Sequence, residues 1–337
     1  MHRSTDRALR YSPTSFLVAD VRFMINWMAS AGLAGLVSAL SLIAAPAVAH
    51  ESAGSGPAVA VASTCLNDPS WVAPQRPFRV FGNTWHVGPT GLGVFLITSP
   101  AGHVLIDGGI PGQASLIAEN IRTLGFQLGD IKWIVNSHAH CDHAGGLTEL
   151  LKLTGARLVA SAADAPLLAR GGQEDPQYNN RFPFPPVRVD RAVGDGDQLR
   201  SGDLVMTAHA TPGHTKGNTT WTWRSCEGQR CLNLVFVGSL SAPDFKLVGN
   251  VRHPTVVQDF RKGFAKVAGL PCDIALAPHP GMVDFWERVA KRDAGEPDAL
   301  IDPTLCRAYA ADAREDFEAK LAKQRAEASA SARTPRK

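Results

Sequence analysis

His138-Ala139-His140-Cys141-Asp142-His143 decides how the rest of this chain is read. Residues 132–136, Lys-Trp-Ile-Val-Asn, precede it with the apolar pattern of a buried strand, so the cluster begins where a strand ends. Side chains alternate along extended backbone, and His138 and His140 therefore share one side and can bind one ion. Asp142 continues that alternation further along, while His143 turns away with a helix that starts here; the pair suits a second, adjacent ion. Each ion needs a third protein ligand. His214, in Thr211-Pro212-Gly213-His214 after a strand at 204–210, and His279, after a strand at 274–277, are the candidates. Ligands at several strand ends meet at one sheet edge, a site held by the scaffold. Nitrogen and oxygen ligation with open positions is the pattern of catalytic zinc. Zinc brings the pKa of a bound water to about 7, and two ions about 3.5–4 Å apart share that water and steady a leaving group.

Other histidines lack this spacing: His86, His103, His209 and His253 read as ordinary core or surface residues. Cys141 sits between residues that alternate toward the metal, so its side chain points away and is structural. Asp107 ends a strand before two glycines and has two readings, as support behind a ligand or as a turn cap.

Working outward, short apolar runs at 78–81, 93–98 and 103–106 are bounded by Gly, Pro or Asn and predict strands. Helical spacing at 113–124 closes on Gly125, and a second helix from Leu147 ends at Gly155. A strand at 157–160 and a helix at 161–170 follow, then a long Gly/Pro/Asn/Phe loop at 171–186; loops of that length are often lids. Tyr178 and Phe182 place aromatic rings on it, for the cleft or for local packing. The second half repeats the theme, with strands at 204–210, 219–223, 232–237 and 274–277, and a helix at 256–268. Tyr309, Ala313, Phe317 and Leu321 form a last helical stripe, and the tail 326–337 is expected to be disordered. Strands and helices in two similar halves predict one layered α/β domain over residues 65–325.

The chain has 337 residues, 45% hydrophobic and 19% charged, which is ordinary globular composition. Its net charge of +3 is spread over dispersed basic residues, which argues against a nucleic-acid partner. Residues 1–27 carry four arginines, an apolar run follows, and Ala47-Val48-Ala49 has the A-x-A form of a signal-peptidase site. A signal peptide at 1–49 and a loose segment at 50–64 are expected, with Met24 or Met28 as alternative starts. The apolar core, about residues 31–45, is short for a membrane span; a retained anchor is the competing reading. Cleavage after Ala49 leaves 288 residues with net charge +1. The expected location is periplasmic or secreted, with no stable membrane association, and monomer is the default state. Six cysteines in an exported chain call for disulfides. Cys226 and Cys231 flank a hairpin end, and Cys272 and Cys306 flank the C-terminal part; two bridges with Cys65 and Cys141 left as thiols is the first assignment.

The cluster and its continuation Ala144-Gly145-Gly146 resemble the signature of the metallo-β-lactamase superfamily, over roughly residues 66–325. The resemblance implies a four-layer αβ/βα sandwich, one Zn²⁺ on His138, His140 and His214, and a second on Asp142, His143 and His279. Glyoxalase II-like and lactonase-like members usually carry a metal-bridging aspartate where this chain has Ser239, in Val237-Gly238-Ser239. Its absence, with Ser239-Leu240-Ser241, Trp221-Thr222-Trp223 and Leu270-Pro271-Cys272, resembles subclass B3 β-lactamases. In such enzymes the partner of Cys272 would be Cys306. Cys141, Cys65, Cys226 and Cys231 are not general to that group. The implied function is hydrolysis of a β-lactam amide by a zinc-bound hydroxide, giving resistance to the drug. Asp142 would be the catalytic carboxylate orienting that hydroxide, and Ser239 and Ser241 would bind the substrate carboxylate. A thioester or lactone hydrolase on the same scaffold is the alternative, and a non-catalytic zinc-binding exported protein is the next.

Overall fold

The structure, a computed structural model, describes Cys65 and residues 68–333. The expected signal peptide and the segment at 50–64 lie outside the described residues.

The first sheet has seven strands. Short apolar runs build β1 (Phe78–Phe81), β2 (Thr84–His86), β3 (Phe95–Ile97) and β4 (His103–Ile106), all antiparallel neighbours. The chain then crosses through α1 (Ala114–Thr123) to β5 (Ile131–Val135), which lies parallel to β4. The short α2 (Cys141–Ala144) and α3 (Leu147–Thr154) lead to β6 (Arg157–Ser161), and α4 (Ala165–Ala169) and the long loop lead to β7 (Arg191–Val193), both parallel additions. The second sheet runs β12-β11-β10-β9-β8. It is built from β8 (Gln198–Ser201), β9 (Leu204–Ala210), β10 (Thr219–Glu227) and β11 (Arg230–Phe236) as an antiparallel meander. After α5 (Val256–Ala268), β12 (Ile274–Leu276) joins β11 in parallel. The helices α6 (Phe285–Asp293) and α7 (Leu305–Arg333) complete the chain.

Strand alternation assigns each face. Phe95, Ile97, Val104, Ile106, Val135 and Val159 fall in one buried cluster with Met206, Trp221, Trp223 and Phe236 of the second sheet. Their alternates Leu96, Leu105, Ile134 and Leu158 fall in another cluster with Ile117 and Ile121 of α1 and Leu147 and Leu150 of α3. A sheet buried on both faces explains why these strands read as continuous apolar runs rather than alternating ones. Beyond the second sheet, Phe260 and Phe264 of α5 pack on Phe317 of α7. The layers are thus helix, sheet, sheet, helix, the expected sandwich. Two indole N–H groups tie the sheets together, Trp221 to the Asn136 carbonyl at 3.2 Å and Trp223 to Thr84 Oγ1 at 3.0 Å.

Two expectations are corrected here. The helix α7 continues through residues 326–333, placed above in a disordered tail. That stretch is Ala-Glu-Ala-Ser-Ala-Ser-Ala-Arg, whose alanines favour helix without any apolar stripe. Cys65 and Cys141 are not thiols: they form a third bridge beside Cys226–Cys231 and Cys272–Cys306. Cys141 does turn away from the histidines, and what it turns toward is Cys65.

Candidate metal centre

Five strand ends open on one edge. β4 delivers Asp107, β5 the His138–His143 cluster, β9 His214, β11 Ser239 and Ser241, and β12 His279. The glycines after the cluster are required by close approach. A Cβ on Gly146 would lie 2.2 Å from the Gly108 carbonyl oxygen, and one on Gly145 would lie 2.4 Å from that of Cys141. The Asp107 loop therefore packs directly on the turn carrying His143, and the Gly108 amide donates to the His143 carbonyl at 2.8 Å.

His140 Nδ1 and His214 Nε2 face each other at 3.0 Å. His214 Nδ1 donates to the Ser241 carbonyl at 2.7 Å, so its Nε2 presents a lone pair. Beside them, His138 Nε2 is buried and has no hydrogen-bond partner. Its other nitrogen lies 2.9 Å from Ser137 Oγ, whose proton goes to Asp107 Oδ2 at 2.7 Å; this chain leaves Nε2 as the bare nitrogen. Ligand atoms of His138, His140 and His214 all lie within 4.8 Å of one another. Tetrahedral zinc with Zn–N of about 2.0–2.1 Å sets nitrogens about 3.3 Å apart, so buried lone pairs converging at this scale fit a metal ion. Burial keeps the His138 and His214 rings neutral, the form a metal needs: it drives His138 well below its ordinary pKa and His214 down to about 3.

A second set adjoins the first. Asp142 Oδ2 lies 3.0 Å from His143 Nε2 and 3.2 Å from His279 Nε2, and those nitrogens are 3.3 Å apart. His138 is also within ligand distance of Asp142 and His143, so the sets share a border; His279 is nevertheless the better third member of the second, given its two short contacts. Burial opposes the Asp142 carboxylate, but His143 and His279 outweigh it and hold its carboxyl well below the usual range. Burial likewise opposes the His143 imidazolium, and Asp142 with Asp107 overcomes it and raises that pKa. All six residues singled out as ligands are thus brought together. The donor set is nitrogen and carboxylate oxygen, as catalytic zinc prefers.

Asp107 takes the first of its two readings, support behind a ligand: its carboxylate bonds go to Asn136 and Ser137 rather than to its own turn. It takes a left-handed φ of 61° at the strand end, where aspartate is tolerated. Its carboxylate accepts from Asn136 Nδ2, the Ser137 amide and Ser137 Oγ, and stands 3.6 Å from His143 Nδ1. Burial pushes its pKa up to about 6. Asp164, missed from the sequence, links two ligand loops: Oδ2 accepts from the Ala139 amide and Thr215 Oγ1, and Oδ1 from the Gly217 amide. No local pattern betrays it, because its partners lie 25 to 53 residues away.

A cleft of about 310 Å³ opens over the two sets. Trp71, Tyr178, Phe182 and Pro243 give it apolar walls, and Arg181, Asp244 and Ser241 stand among them. Tyr178, Arg181 and Phe182 belong to the 171–186 loop, which therefore does cover the cleft. Trp71, also missed from the sequence, packs 5.2 Å from the His279 ring. Of the two serines, Ser241 lines the cleft, whereas Ser239 is buried with its hydroxyl 3.1 Å from that of Ser241. His86, His103, His209 and His253 stay outside the centre; His86 sits among Phe78, Phe95, Phe285 and Trp286.

The family model of the metallo-beta-lactamase superfamily matches residues 93–279, from β3 to the last of the six site residues. The chain belongs to the metallo-β-lactamase superfamily. Among solved structures, the Rm3 metallo-beta-lactamase is 46% identical with a TM-score of 0.73, over 76% of this chain and 97% of that one. A subclass B3 metallo-beta-lactamase of Bradyrhizobium japonicum is 38% identical with a TM-score of 0.73, over 77% and 98%. Curated relatives match in part. A hydroxyacylglutathione hydrolase of Acidiphilium cryptum is 30% identical over 111 residues, 33% of this chain and 37% of that protein. The N-acyl homoserine lactonase AttM of Agrobacterium fabrum is 28% identical over 156 residues, 39% of this chain and 58% of its own length. The chain therefore spans less than two thirds of those relatives. It is a hydrolase of the metallo-β-lactamase superfamily, with a histidine-rich site suited to zinc.

Proposed function

We propose that this metallo-β-lactamase-fold hydrolase is a two-zinc β-lactamase, exported to the periplasm as a monomer. His138, His140 and His214 would hold one ion and Asp142, His143 and His279 the other. The observation that carries the substrate is at the end of β11. Ser239 stands where a thioester or lactone hydrolase of this fold would place a bridging carboxylate, and its hydroxyl pairs with Ser241. Likeness to subclass B3 enzymes over nearly their whole length supports the same reading. Three disulfides, and the absence of any membrane-spanning helix among the described residues, are compatible with export.

When bound, zinc supplies Lewis acidity and a water ionised near neutral pH. The chain's own residues arrange the rest. Asp142 lines the cleft and stays ionised, so it can accept the proton of an attacking water and orient its lone pair. The water oxygen adds to the lactam carbonyl carbon, the C–N bond breaks, and the ring nitrogen takes up a proton. Trp71, Tyr178 and Phe182 wall the cleft against bulk water, and Ser241 offers a hydroxyl to the substrate carboxylate.

Purified protein should open nitrocefin and a carbapenem. A chelator should abolish that turnover, and added zinc restore it. Loss of zinc should also lower the melting midpoint by roughly 5–15 °C, the shift expected for a ligand held at 100 to 1,000 times its Kd. Failure on both β-lactams, with turnover of lactoylglutathione or a homoserine lactone, would establish the thioester or lactone reading that the curated relatives favour.

Ser241→Ala removes the hydroxyl but keeps the carbonyl that fixes His214. It should raise KM about 10–100-fold with kcat nearly unchanged, the worth of one hydrogen bond to a charged group. An equal fall in kcat at constant KM would place Ser241 elsewhere in the reaction.

A further inference from the structure

The lid loop and the metal centre share one side chain. Asp175 lies between α4 and β7 and is buried, with 4% of its surface exposed. Its Oδ1 accepts the amides of Gln177 and Tyr178, each at 2.7 Å, and its backbone pairs both ways with Asn179 at 3.0 and 2.9 Å. These bonds build the turn that holds the Tyr178 ring 5.2 Å from that of His140. Its other oxygen, Oδ2, faces His140 Nε2 at 3.4 Å. That nitrogen is buried and otherwise without a partner. A contact of this length is loose for a hydrogen bond, as is common at a site before its ligand tightens it.

We propose that Asp175 is a positioning residue that couples the lid to the metal: it fixes His140 as the Nε2–H tautomer, aims Nδ1 into the cluster, and orders the lid in the same act. This rests on His140 being a metal ligand. The logic is that of a carboxylate behind a ligating histidine, which sets ring orientation and strengthens the donor. Here the carboxylate belongs to the lid, so the two events are linked. An ion on Nδ1 makes Nε2–H a stronger donor and tightens the bond to Asp175. An ordered turn, reciprocally, presents a better ligand; linkage requires the two effects to be equal.

Asp175→Asn separates the two roles. An asparagine Oδ1 still accepts the Gln177 and Tyr178 amides, but its amide nitrogen cannot accept from His140. Zinc affinity, measured by competition with a chromophoric chelator, should fall about 10–100-fold. Lid order is read by tryptic cleavage after the exposed Arg181, with cleavage after Arg230 in the distant β10–β11 turn as control. In the native protein zinc should slow cleavage at Arg181 and leave Arg230 unchanged. In Asp175→Asn the zinc-free rate at Arg181 should match the native one, and the protection by saturating zinc should be largely lost. Native-like zinc affinity in Asp175→Asn, or equal protection in both proteins, would overturn the coupling. So would a rate at Arg181 that ignores zinc in the native protein, a result that needs no variant to fold. His140→Ala run alongside should lose zinc; if it binds zinc normally, the ligand assignment itself fails and the coupling with it.

Discussion

Asp142→Ala is expected to lower kcat/KM on a β-lactam by roughly 10²–10⁴-fold at neutral pH, with the folded structure retained. That loss corresponds to about 3–5 kcal/mol of transition-state stabilisation. Two effects combine in it. Asp142 Oδ2 is the shared anion between His143 Nε2 and His279 Nε2, and without it those rings face one another at 3.3 Å across an uncompensated gap. The substitution also removes the ionised acceptor that the cleft offers an attacking water. Asp142→Asn separates these contributions, since it keeps the shape and an acceptor oxygen but loses the charge. If charge dominates, Asn should fall nearly as far as Ala. Zinc content measured on the same samples tells whether the second ion is lost or merely ill-placed. An alanine variant with kcat/KM within tenfold of native would remove Asp142 from the reaction and leave it as one ligand among others.

The metal residues were legible because the chemistry is written locally. Four of the six sit within six positions at a strand end, and His214 and His279 each follow an apolar run closed by a turn. β1, β4 and β9 were readable in full for the same reason, being apolar runs bounded by breakers. β2 is only three residues long. β7 and β8 show mostly polar or exposed residues because they lie at sheet edges. α6 escaped because Phe285 and Val289 are its only buried side chains, too few for a helical stripe. The supporting shell was illegible for another reason. Asp175 and Asp164 act on groups brought near only by the fold; in the sequence Asp175 is an acidic residue in a long loop and Asp164 one more residue of a stretch that reads as helix. Cys141 was read correctly for direction and wrongly for partner. Spacing favours near neighbours such as Cys226 and Cys231, whereas Cys65 is 76 residues away.

That long separation makes the Cys65–Cys141 bridge the one whose loss should cost most. Chain-entropy arithmetic for a loop of this length gives about 4–5 kcal/mol, against about 2 kcal/mol for the short Cys226–Cys231 loop. A Cys65→Ser/Cys141→Ser double variant should therefore melt roughly 10 °C lower, while Cys226→Ser/Cys231→Ser shifts by less than half as much. Both cysteines must be replaced, because a lone thiol left by a single substitution is open to oxidation and mixed-disulfide formation. Activity should fall with stability, though less. Cys141 lies between two metal-site residues, and Cys65 anchors the segment leading to Trp71, which packs on His279. Releasing that segment should raise KM several-fold as the Trp71 wall loosens, while the cluster itself, braced by Asp107 and Asp164, keeps most of its kcat. A double variant with native melting and native KM would mean that sheet packing alone holds the N-terminal segment. A collapse of kcat at unchanged KM would mean instead that the bridge shapes the His140–Asp142 turn directly.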